Sequence, residues 1–336
     1  MESSNAKFCL ATFQSPEGPK VGLVAGDRIM EITDILSRPS WPSRETSVPS
    51  KEPPQVTSLM DLMEAWEEFF PILSLAARFS IDHPEAMSRA IPLEKAAVLA
   101  PILNPGKIIN TGLNSYDHAR EMGVTIPPHG FQPNFFFKGD RCCLVGPGEK
   151  IRISSRFVDW EAELAVVIGK KAKNVTPAEA MSHIAGYTCH NDITDRSLLV
   201  KKEGGIDFFR GKSRDTFAPF GPFLVPKEFV PNPLELRIRC FLNDEIMQDS
   251  STSQYYWGPA ECVSYLSTCM TLMPGDLIAL GTVAGTGWAH GIEGPRDLKT
   301  VLEHMNRGGG RFLSHGDRIR VEISEIGGLL NVVEGE

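Results

Sequence analysis

Two glutamates separated by one residue stand in the apolar stretch Val158 to Lys170, V-D-W-E-A-E-L-A-V-V-I-G-K. Its β-branched second half predicts a strand, in which successive side chains alternate between faces. Glu161 and Glu163 then share one face, roughly 6–7 Å apart at their Cα atoms, while Trp160 and the other face are apolar and should meet a core. Two carboxylates so close resist ionisation unless a cation or proton lies between them. The alternative is a solvated sheet edge with two harmless glutamates.

A third carboxylate comes just past the end of the next predicted strand. Asp192 follows I-A-G-Y-T within C-H-N-D-I-T-D-R. If it joins Glu161 and Glu163, three carboxylates and water would suit a hard cation such as Mg²⁺ or Mn²⁺. Zinc prefers His and Cys, and the nearby Cys189 and His190 keep that alternative open. That the three carboxylates converge in space is a hypothesis.

A histidine and a glutamate are predicted to lie on one face of a short helix within 113–123. His118 and Glu121 are three residues apart, hence on one helix face, and Ser115 or Asn114 can cap the helix. Spacing alone favours a surface ion pair. A helix this short, followed by Pro127-Pro128, buries little and could also move as a lid.

Three further polar side chains stand out. Lys138 ends the predicted buried strand N-F-F-F-K, and Lys212 lies in the segment G-K-S. Thr282 belongs to the glycine-rich L-G-T-V-A-G-T-G, whose hydroxyl and backbone N–H groups could hold an anionic group. Any tight turn would give a similar pattern, so this last signal is weak.

Composition places the chain among ordinary globular proteins. It has 336 residues, 42% hydrophobic and 23% charged, with a net charge of -8. The negative charge argues against nucleic-acid binding, and the sequence contains neither an apolar run of about 18 residues for a membrane span nor a secretory signal at its start. Seven cysteines without a C-x-x-C pair are typical of free thiols, so we expect a cytoplasmic protein.

The elements that must position these residues fall into two predicted units. Residues 7–35 read as short strands, 38–57 as an exposed loop, and Ser58–Phe79 as an amphipathic helix interrupted or ended near Pro71. A second short helix is predicted over Pro84–Ala90. Pro101–Gly106 then punctuates the chain, which divides it into a small N-terminal α/β module, 1–104, and a catalytic domain, 105–336.

The catalytic half is predicted to be mostly strands. Thr176 opens a capping-box helix that runs to His183, Arg237–Gln248 reads as a hairpin, and Pro259–Met270 reads as a helix. The polar, glycine-rich segment 288–314 looks like an insertion before the last two strands. The whole is α+β, mostly β.

Eight pieces in a fixed order make this sequence resemble the fumarylacetoacetate hydrolase family. They are G-L-N-S-Y-D-H-A-R-E, F-F-K, D-W-E-A-E-L-A-V-V-I-G-K, G-Y-T-C-H-N-D-I-T-D-R, G-K-S-R-D-T-F-A-P-F-G-P, N-D-E-I-M-Q, L-M-P-G-D-L-I-A-L-G-T and G-D-R-I-R-V-E-I. They cover most of residues 107–333, and the N-terminal hundred residues carry little of the likeness. The similarity is to the branch of acylpyruvases and 2-hydroxyhepta-2,4-diene-1,7-dioate isomerases.

The resemblance implies a mixed β-roll or β-sandwich catalytic domain, a homodimer, and bound Mg²⁺ or Mn²⁺, with Ca²⁺ also possible. It implies Glu161, Glu163 and Asp192 as metal ligands. His118 and Glu121 would handle the water or proton, and Lys212 would contact the substrate or its enolate. Four residues would bind substrate or lie beside the metal: Lys138, Asn191, Arg196 and Thr282.

The sequence departs from the family pattern at positions that could line the pocket. Val283 replaces the loop proline, Asp195 an alanine, Leu199 a glutamine, and Arg214 an aromatic residue. None belongs to the implied metal ligands or acid–base pair. The departures therefore bear on substrate identity more than on chemistry.

The implied activity is hydrolysis of a carbon–carbon bond in an acylpyruvate-like or 1,3-diketo acid, plausible in aromatic catabolism. The cation would act as Lewis acid, His118 would activate water, and Lys212 would stabilise the enolate that leaves. Oxaloacetate decarboxylation or tautomerisation, and isomerisation of an unsaturated diacid, could use the same site. A protein of this fold that binds metal without catalysis is the alternative from another class.

Overall fold

The structure is a computed structural model that describes residues 7–37, 56–83, 89–125, 132–139, 141–201, 204–292 and 298–335. Most of the predicted 38–57 loop and most of the predicted helix Pro84–Ala90 lie outside the described residues.

Strands make up most of the regular structure. In chain order they are β1 (Cys9–Ser15), β2 (Gly18–Ala25), β3 (Arg28–Glu31), β4 (Ile91–Pro92), β5 (Ala97–Val98), β6 (Ile108–Gly112), β7 (Asn134–Phe137), β8 (Leu144–Val145), β9 (Lys150–Ile153), β10 (Val158–Asp159), β11 (Ala162–Ile168), β12 (Ile184–Asn191), β13 (Thr194–Asp195), β14 (Ala218–Pro226), β15 (Arg237–Leu242), β16 (Glu245–Ser251), β17 (Leu277–Ala279), β18 (Arg318–Ile323) and β19 (Gly327–Gly335).

The helices are mostly one or two turns long. They are α1 (Ile32–Leu36), α2 (Leu59–Glu64), α3 (Trp66–Asp82), α4 (Tyr116–Glu121), α5 (Pro177–Ala180), α6 (Arg196–Leu199), α7 (Phe208–Lys212), α8 (Pro259–Cys269) and α9 (Leu298–Asn306). The mixture of many strands and few helices confirms the predicted α+β, mostly β class. No helix in the described ranges is both long and apolar enough to cross a bilayer.

Two sheets carry the fold. The larger runs β4-β3-β2-β1-β14-β12-β11-β17-β6-β7, with β5 beside β1 and β8 beside β14. The smaller runs β16-β15-β18-β19-β9, and β10 pairs with β13 alone. One hydrophobic core spans both predicted units, since Leu10 and Leu73 belong to the same buried cluster as Leu164 and Ile319. The division at 104 stays a prediction.

The glutamate-bearing stretch lies at the centre of the larger sheet. β11 pairs with β12 on one side and β17 on the other, and all seven of its residues are buried. Burial on both faces is what its apolar second half predicts. The strand and its pairing with β12 begin at Ala162, so Glu161 lies just ahead of the strand. The solvated-edge alternative is wrong, because Glu161 and Glu163 are 6% and 1% exposed.

Several local predictions are confirmed. Thr176 forms the predicted capping box, which begins α5. The turn of the β15–β16 hairpin is Asn243-Asp244, both with positive φ, a conformation that Asn and Asp tolerate better than most residues. Capping boxes and hairpin turns depend on interactions among a few neighbouring residues. They therefore form in the folded protein as the local sequence predicts.

The predicted interruption near Pro71 is wrong. Pro71 lies inside α3, and the break falls earlier, at the non-helical Ala65 between α2 and α3. Because the helix starts again at Trp66, the proline falls in its second turn, close to the N-terminal turn where proline is tolerated.

Two more predictions need correction. The strand of Asn134–Phe137 is not buried: it is the last strand of the larger sheet, paired only with β6, and Phe137 is half exposed. The 288–314 insertion contains α9, which buries Val301 and Met305 at helical spacing. Because the segment is rich in glycine and charged residues, its helical spacing of apolar residues is not evident from the sequence.

Candidate active site

Strand register brings the three predicted carboxylates together. β11 and β12 are antiparallel with Glu163 opposite His190, so the residue after β12, Asp192, lies beside the residue before β11, Glu161. The Asp192 N–H donates to the Glu161 carbonyl at 2.8 Å. Each of Glu161, Glu163 and Asp192 offers an oxygen within 4.8 Å of the others. We call these three residues the carboxylate triad.

Three buried cations surround the triad. Lys212 Nζ donates to Glu161 at 2.7 Å and to Asp192 at 2.5 Å, and Lys138 Nζ donates to the other oxygen of Asp192. Arg196 donates from Nη2 to Glu161 at 2.7 Å. The predicted contacts of Lys138 and Arg196 with substrate stay predictions.

A fourth carboxylate completes the group. Asp159 accepts from Arg196 Nε at 2.7 Å and is fully buried. The triad together with Asp159 is the acidic cluster below. In the described part of the chain, its four carboxylates contact three protein cations, which leaves one negative charge without a counter-charge. A buried unpaired charge is costly, so the cluster favours an additional cation or a proton.

The uncompensated charge falls on Glu163. Burial, and then the negative charges of Asp192 and Glu161, raise the pKa of Glu163 well above its ordinary value. Its Oε2 accepts the Gly281 N–H at 2.9 Å, while its buried Oε1 has no hydrogen-bond partner in the structure. For Asp192, burial would raise the pKa, but Lys138 and Lys212 hold it well below the ordinary value.

The donor set fits a hard divalent cation. The triad offers only oxygen ligands, and the orphaned Glu163 Oε1 supplies a free one. The zinc alternative depended on His190 and Cys189, and both side chains are already engaged by other protein groups. Both ring nitrogens of His190 are engaged, with Asn110 at 3.0 Å and the Pro219 carbonyl at 2.9 Å, and burial lowers its pKa to about 3. Cys189 Sγ donates to the Gly327 carbonyl at 3.4 Å.

The acid–base pair is buried, so a surface ion pair is the wrong interpretation. His118 Nδ1 lies 2.8 Å from Glu121 Oε2, and the residues are 7% and 9% exposed. Glu121 also accepts the Gly285 N–H at 2.8 Å and the Thr286 hydroxyl at 3.0 Å. Burial would raise the pKa of Glu121, but His118, Gly285 and Thr286 together hold it below the ordinary value.

Helix α4 is attached firmly at its start. Ser115 caps it, as predicted, and the Asn114 side chain bonds the Trp257 backbone at both N–H and C=O, each at 2.8 Å. Asp117 accepts from Ser250 at 2.5 Å. Movement of α4 as a lid stays a prediction.

One loop donates hydrogen bonds both to the acidic cluster and to the acid–base pair. Over residues 281–288 its donors contact Glu163 (from Gly281), Glu121 (from Gly285 and Thr286) and Asp159 (from Trp288, 2.9 Å). Gly285 needs φ +105°, and a Cβ there would lie 2.1 Å from the Met247 carbonyl oxygen. The predicted anion-holding loop therefore holds the protein's own carboxylates.

The two remaining predicted residues also bond protein groups. Thr282 Oγ1 donates to the Ala162 carbonyl at 3.1 Å and accepts from Gln248 Nε2 at 2.9 Å. Asn191 Oδ1 accepts the Glu161 N–H at 3.0 Å, which orients the triad. Their contacts with a substrate stay predictions.

Sequence reasoning missed three residues of this site. Asp159 precedes Glu161 by two positions, so the alternation that paired the glutamates could have included it. Gln248 joins Ala162, Thr282 and Val283 through its side chain. Trp288, whose ring lies 4.3 Å from the Arg196 guanidinium, had no signal in the sequence.

Three of the four departures from the family pattern make side-chain contacts here. Asp195 caps α6 through the Ser197 N–H at 3.0 Å, whereas the bond that Val283 accepts from Gln248 at 2.7 Å goes to its backbone carbonyl, which any residue there would supply. Leu199 packs in a small cluster with Trp288. Arg214 donates to Ser154 at 2.6 Å on the surface.

Comparison with known proteins identifies the family of this chain. The model of the fumarylacetoacetate hydrolase C-terminal family matches residues 107–334. The mitochondrial oxaloacetate tautomerase FAHD2A of Bos taurus is 32% identical over 328 residues, 96% of this chain and 91% of the relative.

Two solved structures share the fold over nearly the whole chain. A fumarylacetoacetate hydrolase from Exiguobacterium antarcticum has a TM-score of 0.72 at 27% identity, covering 98% of this chain and 100% of its own. Maleylpyruvate hydrolase from Sphingobium sp. SYK-6, in complex with manganese(II) and pyruvate, has a TM-score of 0.65 at 25% identity, covering 97% and 99%. Since the family model covers more than half of the chain, including every residue of the carboxylate triad and the acid–base pair, the chain belongs to the fumarylacetoacetate hydrolase family.

Proposed function

We propose that this protein is a divalent-cation-dependent enzyme that interconverts the keto and enol forms of a 2-oxo diacid, with oxaloacetate as the first candidate. The observation that carries the proposal is the 281–288 loop, which donates hydrogen bonds both to Glu121, the partner of His118, and to Glu163 of the all-oxygen carboxylate triad. Likeness to oxaloacetate tautomerases over almost the whole chain supports the choice of reaction. The family's hydrolytic reaction, which the sequence alone favoured, becomes the second candidate.

Glu161, Glu163 and Asp192 would hold Mg²⁺ or Mn²⁺, with Ca²⁺ possible, and the ion when bound supplies Lewis acidity toward the oxygens of the substrate. The manganese(II) and pyruvate of the related maleylpyruvate hydrolase support both the metal class and the ligand class. One divalent ion more than balances the single uncompensated charge of the acidic cluster. The positive charge left over suits an anionic substrate.

His118 and Glu121 would move the proton. Because Glu121 bonds His118 Nδ1, Nε2 is the nitrogen left to act on a ligand, and the carboxylate orients the ring. Nε2 would accept a proton from the carbon next to the keto group and return it to that group's oxygen, which gives the enol with no net gain or loss of protons. Lys212, whose ammonium lies between Glu161 and Asp192, would stabilise the negative charge that develops on oxygen.

The remaining predicted residues would act mainly by holding this arrangement. Lys138 and Arg196 neutralise carboxylates, and Asn191 and Thr282 bond the backbone around β11. Contact of these four side chains with the substrate is part of the proposal. A homodimer, tested by light scattering, and a cytoplasmic location also stay proposals; the related tautomerases are named as mitochondrial proteins.

The test is an assay with oxaloacetate in the presence of Mg²⁺, Mn²⁺ or EDTA. We expect the enol absorbance to approach keto–enol equilibrium faster with enzyme and metal, and not with EDTA. Glu163→Gln should lower this rate by about 100-fold or more, because several kcal/mol of charge stabilisation depend on the ion. Glu179→Gln, at an exposed capping box, is the matched control and should match the wild type.

The products decide between the candidates. Release of CO₂ would indicate decarboxylation, and two carbonyl fragments from an acylpyruvate or 1,3-diketo acid would indicate hydrolysis. Hydrolysis is a specific second candidate because the fold is shared with two named hydrolases and His118 could also activate water. Mn²⁺ binding without turnover of any 2-oxo acid would contradict catalysis and favour a binding protein.

A further inference from the structure

Arg196 occupies a critical place in the acidic cluster. It is 2% exposed, and its two ion pairs join Asp159, through Nε, to Glu161, through Nη2. Lys212 takes the other oxygen of Glu161. Both oxygens of this triad member thus contact protein cations, and the position of Arg196 determines how Glu161 can face a metal ion.

Trp288 contacts both members of the Arg196–Asp159 pair. Its ring lies 4.3 Å from the guanidinium carbon, and its backbone N–H donates to Asp159 Oδ2 at 2.9 Å. Stacking on an aromatic face stabilises a desolvated guanidinium while leaving its N–H groups available for carboxylates. Trp288 therefore restrains the pair from two sides.

The same tryptophan joins the cluster to the 288–314 segment. It is 4% exposed and belongs to the same buried hydrophobic cluster as Met122, Leu199 and Val301. These three residues lie next to α4, in α6 and in α9. Met122 follows Glu121 directly, and Val301 lies in α9. Gly287, just before Trp288, has no room for a side chain, since a Cβ would lie 2.1 Å from the Arg311 carbonyl oxygen. The backbone at Trp288 is thereby held in place.

We propose that Trp288 is a positioning residue of the cation centre: it holds Arg196 so that Glu161 is correctly oriented to ligate a divalent ion, and it links that ion's affinity to the 288–314 segment. The inference depends on the cation centre proposed above. Arg196 bonds the proposed ligand Glu161 directly, and residues in such a position commonly change the metal affinity by about 10- to 100-fold. Trp288 acts through Arg196, so its effect should lie at the lower end of that range. The active part of the side chain is its aromatic face, because the indole Nε1 has no hydrogen-bond partner in the structure.

The test measures Mn²⁺ binding by calorimetry, without substrate, on the full-length protein. Trp288→Leu keeps an apolar side chain and the backbone N–H but removes the aromatic face, and we expect Mn²⁺ binding about 10-fold weaker. Trp288→Phe keeps an aromatic face and loses no hydrogen bond, and we expect binding within about 3-fold of wild type. The matched control is Phe241→Leu in β15. It removes a comparable aromatic contact, with Arg320 of β18 at 4.0 Å, and should leave the Mn²⁺ affinity unchanged.

A second arm tests whether Trp288 acts through Arg196. In an Arg196→Lys background, where stacking and the forked contact are already lost, Trp288→Leu should weaken Mn²⁺ binding by less than about 2-fold more. Trp288→Leu with wild-type affinity would overturn the inference, as would equal losses in the Leu and Phe variants or a full additive loss in the Arg196→Lys background. If Trp288→Leu does not fold, the Phe variant and a Trp288→Met variant make the same comparison. Absence of Mn²⁺ binding by the wild type would instead refute the proposed cation centre.

Discussion

At the scale of single residues, the site is a group of buried charges that need one another. Lys138 is almost inaccessible, and its ammonium bonds Asp192 and the Ile193 carbonyl. Burial, and then the neighbouring Lys212, lower the pKa of Lys138, while Asp192 opposes this. Such a pair contributes little net stability compared with apolar residues, but removing Lys138 leaves the buried carboxylates of Asp192 and Glu161 to share Lys212, so one more negative charge in the cluster lacks a counter-charge.

Lys138→Met should therefore destabilise the protein by about 3 kcal/mol. The reason is the loss of one of the two ammonium groups that neutralise Asp192. Urea unfolding in EDTA measures the effect. Lys150→Met is the control, because Lys150 forms an exposed pair with Glu334 and exposed pairs contribute less than about 1 kcal/mol. Equal losses in the two variants would contradict the view that Lys138 compensates a buried charge.

At the scale of elements, the short helix α4 is held at both ends. Asn114 and Ser115 attach its start, and Glu121 in its last turn accepts bonds from the 281–288 loop. A carboxylate with three donors is more acidic in the folded protein than in the unfolded chain. The stability that these bonds between α4 and the 281–288 loop provide should therefore depend on pH.

Glu121→Gln should remove a pH-dependent part of the stability. Because the folded pKa of Glu121 lies below the ordinary value of 4.5, the unfolded state binds the proton more readily. Stability from this group is then present above pH 4.5 and lost as the pH falls through the folded pKa. Urea unfolding at pH 7 and below pH 4 should give a larger difference between wild type and variant at pH 7.

Glu64→Gln, at an exposed position in α2, is the control and should show little pH-dependent difference from the wild type. A wild-type minus Glu121→Gln difference that is constant over this range would argue against an ionised Glu121 in the folded protein.

At the scale of the whole molecule, the N-terminal strands belong to the same sheet as the site. β1 pairs with β14 through Leu10 and Leu224, and β14 pairs with β12, which leads into Asp192. A fragment that starts at residue 105 would expose the β14 edge and the apolar surface that β1 and α3 cover. Exposed edges of this kind promote aggregation.

The intact chain should thus unfold in one cooperative transition, by circular dichroism and by tryptophan fluorescence alike. The fragment 105–336 should be insoluble or lack a cooperative transition when expressed alone, and co-expression with 1–104 should restore a soluble complex. A fragment 105–336 that folds cooperatively by itself would show instead that the two predicted units are independent domains.

Local patterns in the sequence were sufficient for much of the site. Alternation paired Glu161 with Glu163, helical spacing paired His118 with Glu121, and a strand end placed Asp192 at a sheet boundary. Side-chain alternation, helix spacing and caps depend on a few neighbouring residues, so they can be read without knowing the fold. Predictions from local sequence were wrong for the proline in α3 and for the burial of Asn134–Phe137, and they missed the helix in 288–314.

The sequence by itself determined the fold class, most elements and the residues proposed for the site. Only the tertiary structure decided that the carboxylates converge, that both members of the acid–base pair are buried, and that Asp159, Gln248 and Trp288 take part. The reason is distance along the chain: the Gly281 bond to Glu163 spans 118 residues and the Lys212 bond to Glu161 spans 51. Contacts at such separations follow from strand order and register, which no short stretch of sequence encodes.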